Sequence, residues 1–213
     1  MTACPFVAAQ AANEYKLTSN ASAAALAAAK RDFARFAAHQ LQRRDGTPSD
    51  FPLDIKNLRD LKQATISYGF PVYTIDPPDL LGGRSTMRHM AKPVNQWRFV
   101  ITLDQRAIGL ATVEKNGGRY ETVAYGAAVL AQDLDAAANY YGNADKSNLR
   151  FVRIYQARSD LLEVASMDGR GRFAPLHSAR ASLMLKQGSV LLDETDLIEP
   201  LRAAVKHNLS ATR

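Results

Sequence analysis

The alternation that begins at Trp97 constrains this chain more than any other feature. Trp97, Phe99, Ile101 and Leu103 fall on one face of an extended segment, and Arg98 and Thr102 fall on the other. That period of two is what a strand with one buried face requires. Asp104-Gln105-Arg106 turns the chain, and Ala107 to Glu114 returns with Ile108 and Leu110. Asn116-Gly117 then offers the positive-φ pair that a tight hairpin needs, and Arg119 to Tyr125 makes a third strand with Tyr120, Val123 and Tyr125. A three-stranded antiparallel meander over 97–125 follows. No internal repeat, heptad series or low-complexity tract accompanies it, which excludes solenoids and coiled coils.

Helical periods flank the meander. Seven of the nine residues from Ala21 to Ala29 are alanine, and Leu26, Phe33, Phe36 and Leu41 extend a loose apolar stripe, so a helix is expected over 20–44. Ser19 or Asn20 can cap its start, and Asp45-Gly46-Thr47-Pro48 has the chemistry of a stop. Leu53 to Ala64 reads as a short helix feeding a strand over 67–75, which Asp76-Pro77-Pro78-Asp79 ends. Leu80 to Asn95 reads as a long connection. After the meander, Leu130, Leu134, Ala137 and Tyr141 set a helix over about 126–141 that should lie across the sheet. Leu149 to Tyr155 and Asp160 to Ser166 read as strands, Asp168 to Gly171 as a turn, and 173–186 as a last strand. Leu197, Leu201, Val205 and Leu209 sit four apart on a final helix, with Asp196 as its cap, Glu199 completing a capping box and Pro200 in the first turn.

Lys and Arg total 27 against 21 Asp and Glu, a net charge of +6. That balance favours contact with anions but is modest beside a dedicated nucleic-acid binder. Its distribution says more. No acid lies between Asp79 and Asp104, where Arg84, Arg88, Lys92 and Arg98 stand, nor between Asp168 and Asp193, where Arg170, Arg172, Arg180 and Lys186 stand with His177. In the first stretch Trp97 and Phe99 belong to the core face of their strand, and the second holds Phe173 alone, so neither interleaves stacking aromatics with its charges and nucleic acid is not the expected partner. No run of about 18 apolar residues offers a membrane span.

Cys4 is the single cysteine, which excludes an internal disulfide and a multi-cysteine metal site. The surrounding Ala3 to Ala12 is apolar and ends on Ala9-Gln10-Ala11, the small-x-small form that signal peptidase cuts after. Residues 1–18 therefore read as a signal-peptide remnant or a frayed terminus, and export to the periplasm or exterior is expected.

Catalytic signatures are missing. There is no G-x-S-x-G elbow, phosphate loop or dinucleotide turn, and the four histidines form no metal-type pair, so no cofactor or metal is implied. His177, beside Ser178 and near Ser182, is the one candidate base. A tyrosine-rich set, Tyr120, Tyr125, Tyr140, Tyr141 and Tyr155, supplies rings with an apolar body and a polar tip, which suits a binding face.

The order of hairpin, third strand, helix and further strands over 97–186 resembles, in topology alone, PAS-like and profilin-like domains and the inhibitory propeptides of secreted proteases. The expectation is an α+β fold with a helical N-terminal part over 19–95, followed over 96–213 by an antiparallel sheet packed with one or two helices. The expected function is non-catalytic binding of a protein partner or small ligand through the sheet. Candidate contacts are Tyr120, Tyr125, Tyr155, Arg84, Arg88, Arg98 and His177. The rivals are a hydrolase built around His177 and a basic anion-binding protein.

Overall fold

The computed structural model describes residues 5–43, 46–82, 86–165, 171–186 and 190–211, with side chains from residue 22 onward. The fold is α+β. In chain order come α1 (Pro5–Leu41), a 3-10 turn (Leu58–Lys62), β1 (Thr65–Thr74), α2 (Pro77–Gly82), α3 (Met87–Met90), β2 (Lys92–Leu103), β3 (Arg106–Asn116) and β4 (Arg119–Gly126). There follow α4 (Ala128–Tyr141), β5 (Leu149–Ile154), β6 (Ser159–Ala165), β7 (Gly171–Pro175), α5 (His177–Ser182), β8 (Leu192–Asp193) and α6 (Glu194–Ala211). The strands form an eight-stranded sheet in the order β4-β3-β2-β1-β5-β6-β7-β8.

The meander of β2, β3 and β4 is as its alternation predicts. Its two tight turns use positive φ, at Asp104 (49°) and Gln105 (64°) and at Gly117 (54°) and Gly118 (86°), so the second turn is carried by two glycines and Asn116 ends β3. β1 lies at the centre of the sheet, antiparallel to β2 and parallel to β5. The parallel pairing exists because the chain runs out through β2–β4 and α4 before returning beside β1, a crossover that no hairpin can replace. Pro71 is tolerated in this central strand because the register shifts between Pro71 and Tyr73. Gly69 faces Phe99 across the ladder, and a Cβ there would lie 2.3 Å from Phe99 Cδ1 and 2.6 Å from the Arg98 carbonyl oxygen. The ring lies where a side chain at 69 would stand.

Helices cover both faces. On one, the alanines of α1, with Ala25 and Ala29 wholly buried, allow the helix close to Trp97, Phe99, Ile101, Ile108 and Val113, and Phe33 fills the remaining gap. Farther along that same face, Leu197, Leu201 and Val205 of α6 pack with Leu80 and Met87 on Val152, Leu161 and Phe173. On the opposite face Ala131, Leu134 and Ala138 of α4 meet Phe70, Val100, Leu110, Phe151 and Leu162. Periodicity alone groups Trp97, Phe99 and Ile101 with Leu130 and Phe151; the structure puts the last two on the α4 side. Alternation says which residues share a face, not which helix covers it.

Several boundaries differ from the sequence reading, each for a local reason. α1 runs continuously through Ser19 and Asn20, so neither is a cap. Within 53–64 only a 3-10 turn forms, closed by a reciprocal Asn57–Asp60 capping box. The connection over 80–95 holds α2, α3 and the start of β2, tied by Lys92 Nζ to Asp76 at 3.0 Å and Asp79 at 2.7 Å. The segment 173–186 ends its strand at Pro175 and continues as α5, and the Asp168–Arg170 turn lies outside the described residues. α6 starts at Glu194; Asp196 serves from its third position, accepting from the Asp193 N–H at 3.3 Å, and Pro200 falls in the second turn. Among the described residues no helix is long and apolar enough to cross a membrane.

Candidate ligand-binding face

The α4 side of the sheet is unevenly covered. α4 packs on β3, β2 and β6, and beyond Val100, Phe151 and Leu162 each strand continues with a polar residue on that face: Arg98 on β2, Arg153 on β5 and Asp160 on β6. The register brings them together, since Arg153 pairs with Asp160, Val72 with Phe151, and Phe70 with Arg98. Arg98 reaches across β1 so that its guanidinium carbon lies 4.9 Å above the Phe151 ring; that of Arg153 lies 5.9 Å from the same ring and 5.8 Å from that of Tyr155. Cations favour the negative face of a ring, so Phe151 seats both heads on one platform.

The two arginines differ in their partners. Arg153 grips Asp160 with both ends of its fork, Nε to Oδ1 at 2.6 Å and Nη2 to Oδ2 at 2.7 Å. Asp160 is only 3% exposed and is further held by Ser178 at the start of α5, whose hydroxyl donates to Oδ2 at 3.0 Å and accepts from the Asp160 N–H at 3.0 Å. This hydrogen bonding raises the Arg153 pKa above its ordinary value. Arg98 has no hydrogen-bond acceptor and no ion-pair partner among the described residues, and its Nε is sealed from solvent. Burial, and then the Arg153 charge, push its pKa below the ordinary arginine value. The group of Arg98, Arg153 and Asp160 thus carries one positive charge in excess, centred on Arg98.

The remaining sequence candidates fall elsewhere. Tyr155, half exposed, stands on this face at the end of β5. Tyr120 and Tyr125 belong to the opposite face under α1: Tyr120 meets Trp97 edge-on at 5.2 Å, and Tyr125 stacks on Phe36 at 4.4 Å. Burial pushes the Tyr125 phenol up to about 12. Tyr140 and Tyr141 pair on α4, so the five tyrosines make no single strip. Arg88, on α3, approaches Glu163 at 3.9 Å, and Arg150 holds the other oxygen of that buried carboxylate while lying 4.6 Å over the Tyr73 ring. Arg84 lies outside the described residues. His177 exposes its side chain at the first position of α5, while its backbone N–H is bonded to the Asp133 carboxylate. Ser178 is committed to Asp160, so His177 and its neighbouring hydroxyl do not form a nucleophile–base pair. Among the described residues no group of three or more metal-ligating side chains occurs.

The sequence reading does not single out Arg153 or Asp160, and it takes Ser178 only as a hydroxyl beside the candidate base His177, although a signal for the pair is there. In Phe151-Val-Arg-Ile-Tyr-Gln-Ala-Arg-Ser-Asp160 one charge stands in each apolar arm, and a four-residue turn over 155–158 sets the two directly opposite. Comparison of the chain with protein-family models, with characterised proteins and with solved structures finds no match.

Proposed function

We propose that this protein is a non-catalytic binding module that takes a small anionic ligand on the open half of its sheet, with Arg98 receiving the anion, Arg153 reinforcing the field and Tyr155 flanking it. The observation that carries this reading is Arg98 itself. Its Nε is sealed from water with no hydrogen-bond partner among the described residues, and a second guanidinium stands beside it, so an incoming carboxylate or phosphate would recover a desolvation cost that the distant Asp160 charge only partly offsets. The second arginine is pre-positioned by Asp160 and Ser178, so little ordering remains to oppose binding. Lodged on a rigid sheet, the pair favours recognition, and the exposed His177 side chain has no hydrogen-bond partner among the described residues.

Export to the periplasm or exterior belongs to the same reading. It rests on Ala9-Gln10-Ala11 and on the absence of cysteine after Cys4. Fractionation of cells expressing the gene from its native start tests it, and a wholly cytosolic protein refutes it.

The binding test uses acetate, benzoate and inorganic phosphate as probes at constant ionic strength. The side-chain Nε–H resonance of Arg98, assigned as the one missing in Arg98→Lys, is followed by NMR. A saturable shift with a Kd below about 1 mM, corresponding to about 4 kcal/mol, is expected with at least one probe and is lost in Arg98→Met. Weaker, non-saturating drift with all three overturns the proposal.

A further inference from the structure

The outer strands of an open sheet present unpaired backbone groups on which another chain can add a strand. The two ends of this sheet differ. β8 is only two residues long, Leu192–Asp193, too short to template a partner. β4 is eight residues long, free of proline and rich in strand formers, with Tyr120, Thr122, Val123 and Tyr125.

What stands on the free side of β4 is a pair of consecutive residues of α1. Asp32 Oδ2 accepts from the Thr122 N–H at 2.9 Å, and Arg31 Nη2 donates to the Tyr120 carbonyl at 3.2 Å. Arg31 and Asp32 are also joined to each other, Nε to Oδ1 at 2.8 Å and Nη2 to Oδ2 at 3.1 Å. A donor to the carbonyl of residue 120 together with an acceptor for the amide of residue 122 is the set of bonds that a single residue of a parallel neighbouring strand makes. A strand added in the antiparallel sense needs the same two groups. The Asp32 carboxylate is 17% exposed. Although burial opposes its charge, the bonds from Arg31 and Thr122 prevail and hold its pKa below the ordinary carboxylate value. It therefore remains an acceptor at neutral pH.

We propose that Arg31 and Asp32 act as a stand-in for one residue of a ninth strand, closing β4 against a second copy of this chain, so that β4 is a latent strand-pairing surface opened by loss of the pair. The occupant is another copy because β4 is self-complementary in charge: laid antiparallel about Tyr120, whose carbonyl faces the free edge, a second β4 sets Arg119 opposite Glu121 and Glu121 opposite Arg119. Nearby, Arg35, Arg119 and Glu121 line an open cleft with Ala24, Ala27 and Ala28, which leaves room beside the edge. The inference is independent of the anion site, which lies on the α4 side.

The test compares the full chain with Arg31→Ala/Asp32→Ala and with Arg35→Ala as a neighbouring control. At dilute protein the Thr122 amide should exchange roughly tenfold faster in the double variant, the loss of about one net hydrogen bond. At higher concentration the double variant, and not the wild type or the control, should dimerise in sedimentation velocity. It should also bind a peptide of residues 119–126, which the wild type should not. A folded double variant that stays monomeric and ignores the peptide overturns the proposal, as does a wild type whose Thr122 amide already exchanges at the rate of an open edge. Should the double variant fail to fold, Asp32→Ala alone is read by the same peptide titration, and no binding there is equally decisive against it.

Discussion

Replacing Gly69 by alanine adds one methyl group to the centre of the sheet, and the structure specifies what it meets. The new Cβ would lie 2.3 Å from Phe99 Cδ1, 2.8 Å from Phe99 Cε1 and 2.6 Å from the Arg98 carbonyl oxygen. The ring can turn only at the expense of its packing in the α1-side core, where it is 3% exposed. The carbonyl oxygen belongs to the β1–β2 ladder and cannot withdraw without stretching it. Overpacking of this kind costs about 1–3 kcal/mol, and the backbone contact places Gly69→Ala at the upper end, about 2–3 kcal/mol. For a chain of this size that lowers Tm by about 4–12 °C. Phe99→Ala alone should cost about 3–5 kcal/mol as a buried aromatic. Because it also removes the ring that the new methyl strikes, the double variant should be less destabilised than the sum, by about 1 kcal/mol or more. Urea melts of the four proteins give the cycle. Additivity within about 0.3 kcal/mol, or a Gly69→Ala cost below about 0.5 kcal/mol, would refute the close approach on which the reasoning rests.

Arg98→Met should leave stability in urea unchanged or raise it by about 1–2 kcal/mol, since an unpaired cation is replaced by an apolar chain; a loss above about 1 kcal/mol would show that Arg98 serves the fold. Asp160→Asn should destabilise by about 3 kcal/mol, because it strips Arg153 of its buried counter-charge beside Arg98, and a loss under about 1 kcal/mol in the same melts would contradict the pairing. Tyr125, with its phenol raised to about 12 by burial, contributes stability that is present below pH 10 and is lost as pH rises from there toward 12. Tyr125→Phe should flatten that alkaline decline in thermal melts, and an unchanged slope would place the phenol in solvent.

Part of this protein follows from its sequence. The alternation from Trp97 to Tyr125 and the turn chemistry around Asp104 and Gly117 determine three neighbouring strands, because period and turn type are local properties of the chain. The four-residue spacing of Leu197, Leu201 and Val205 determines a helix and its buried stripe on the same grounds. The alanine run likewise announces α1, though not that it would lie close against β1–β4.

The tertiary structure decided what local rules leave open. Which face each helix covers, the parallel docking of β5 on β1 and the central place of a strand containing Gly69 and Pro71 all depend on contacts between residues far apart in the chain. The face proposed to bind an anion was half legible. Arg98 stood out on the polar side of its strand, but that it has no ion-pair partner among the described residues is decided only once β5 and β6 pair and give Asp160 to Arg153. The same long-range pairing separates Tyr120 and Tyr125 from Tyr155, because strands bring residues onto one face or the other by register, and register across the β1–β5 crossover is set by the packing of the whole sheet rather than by any segment of it.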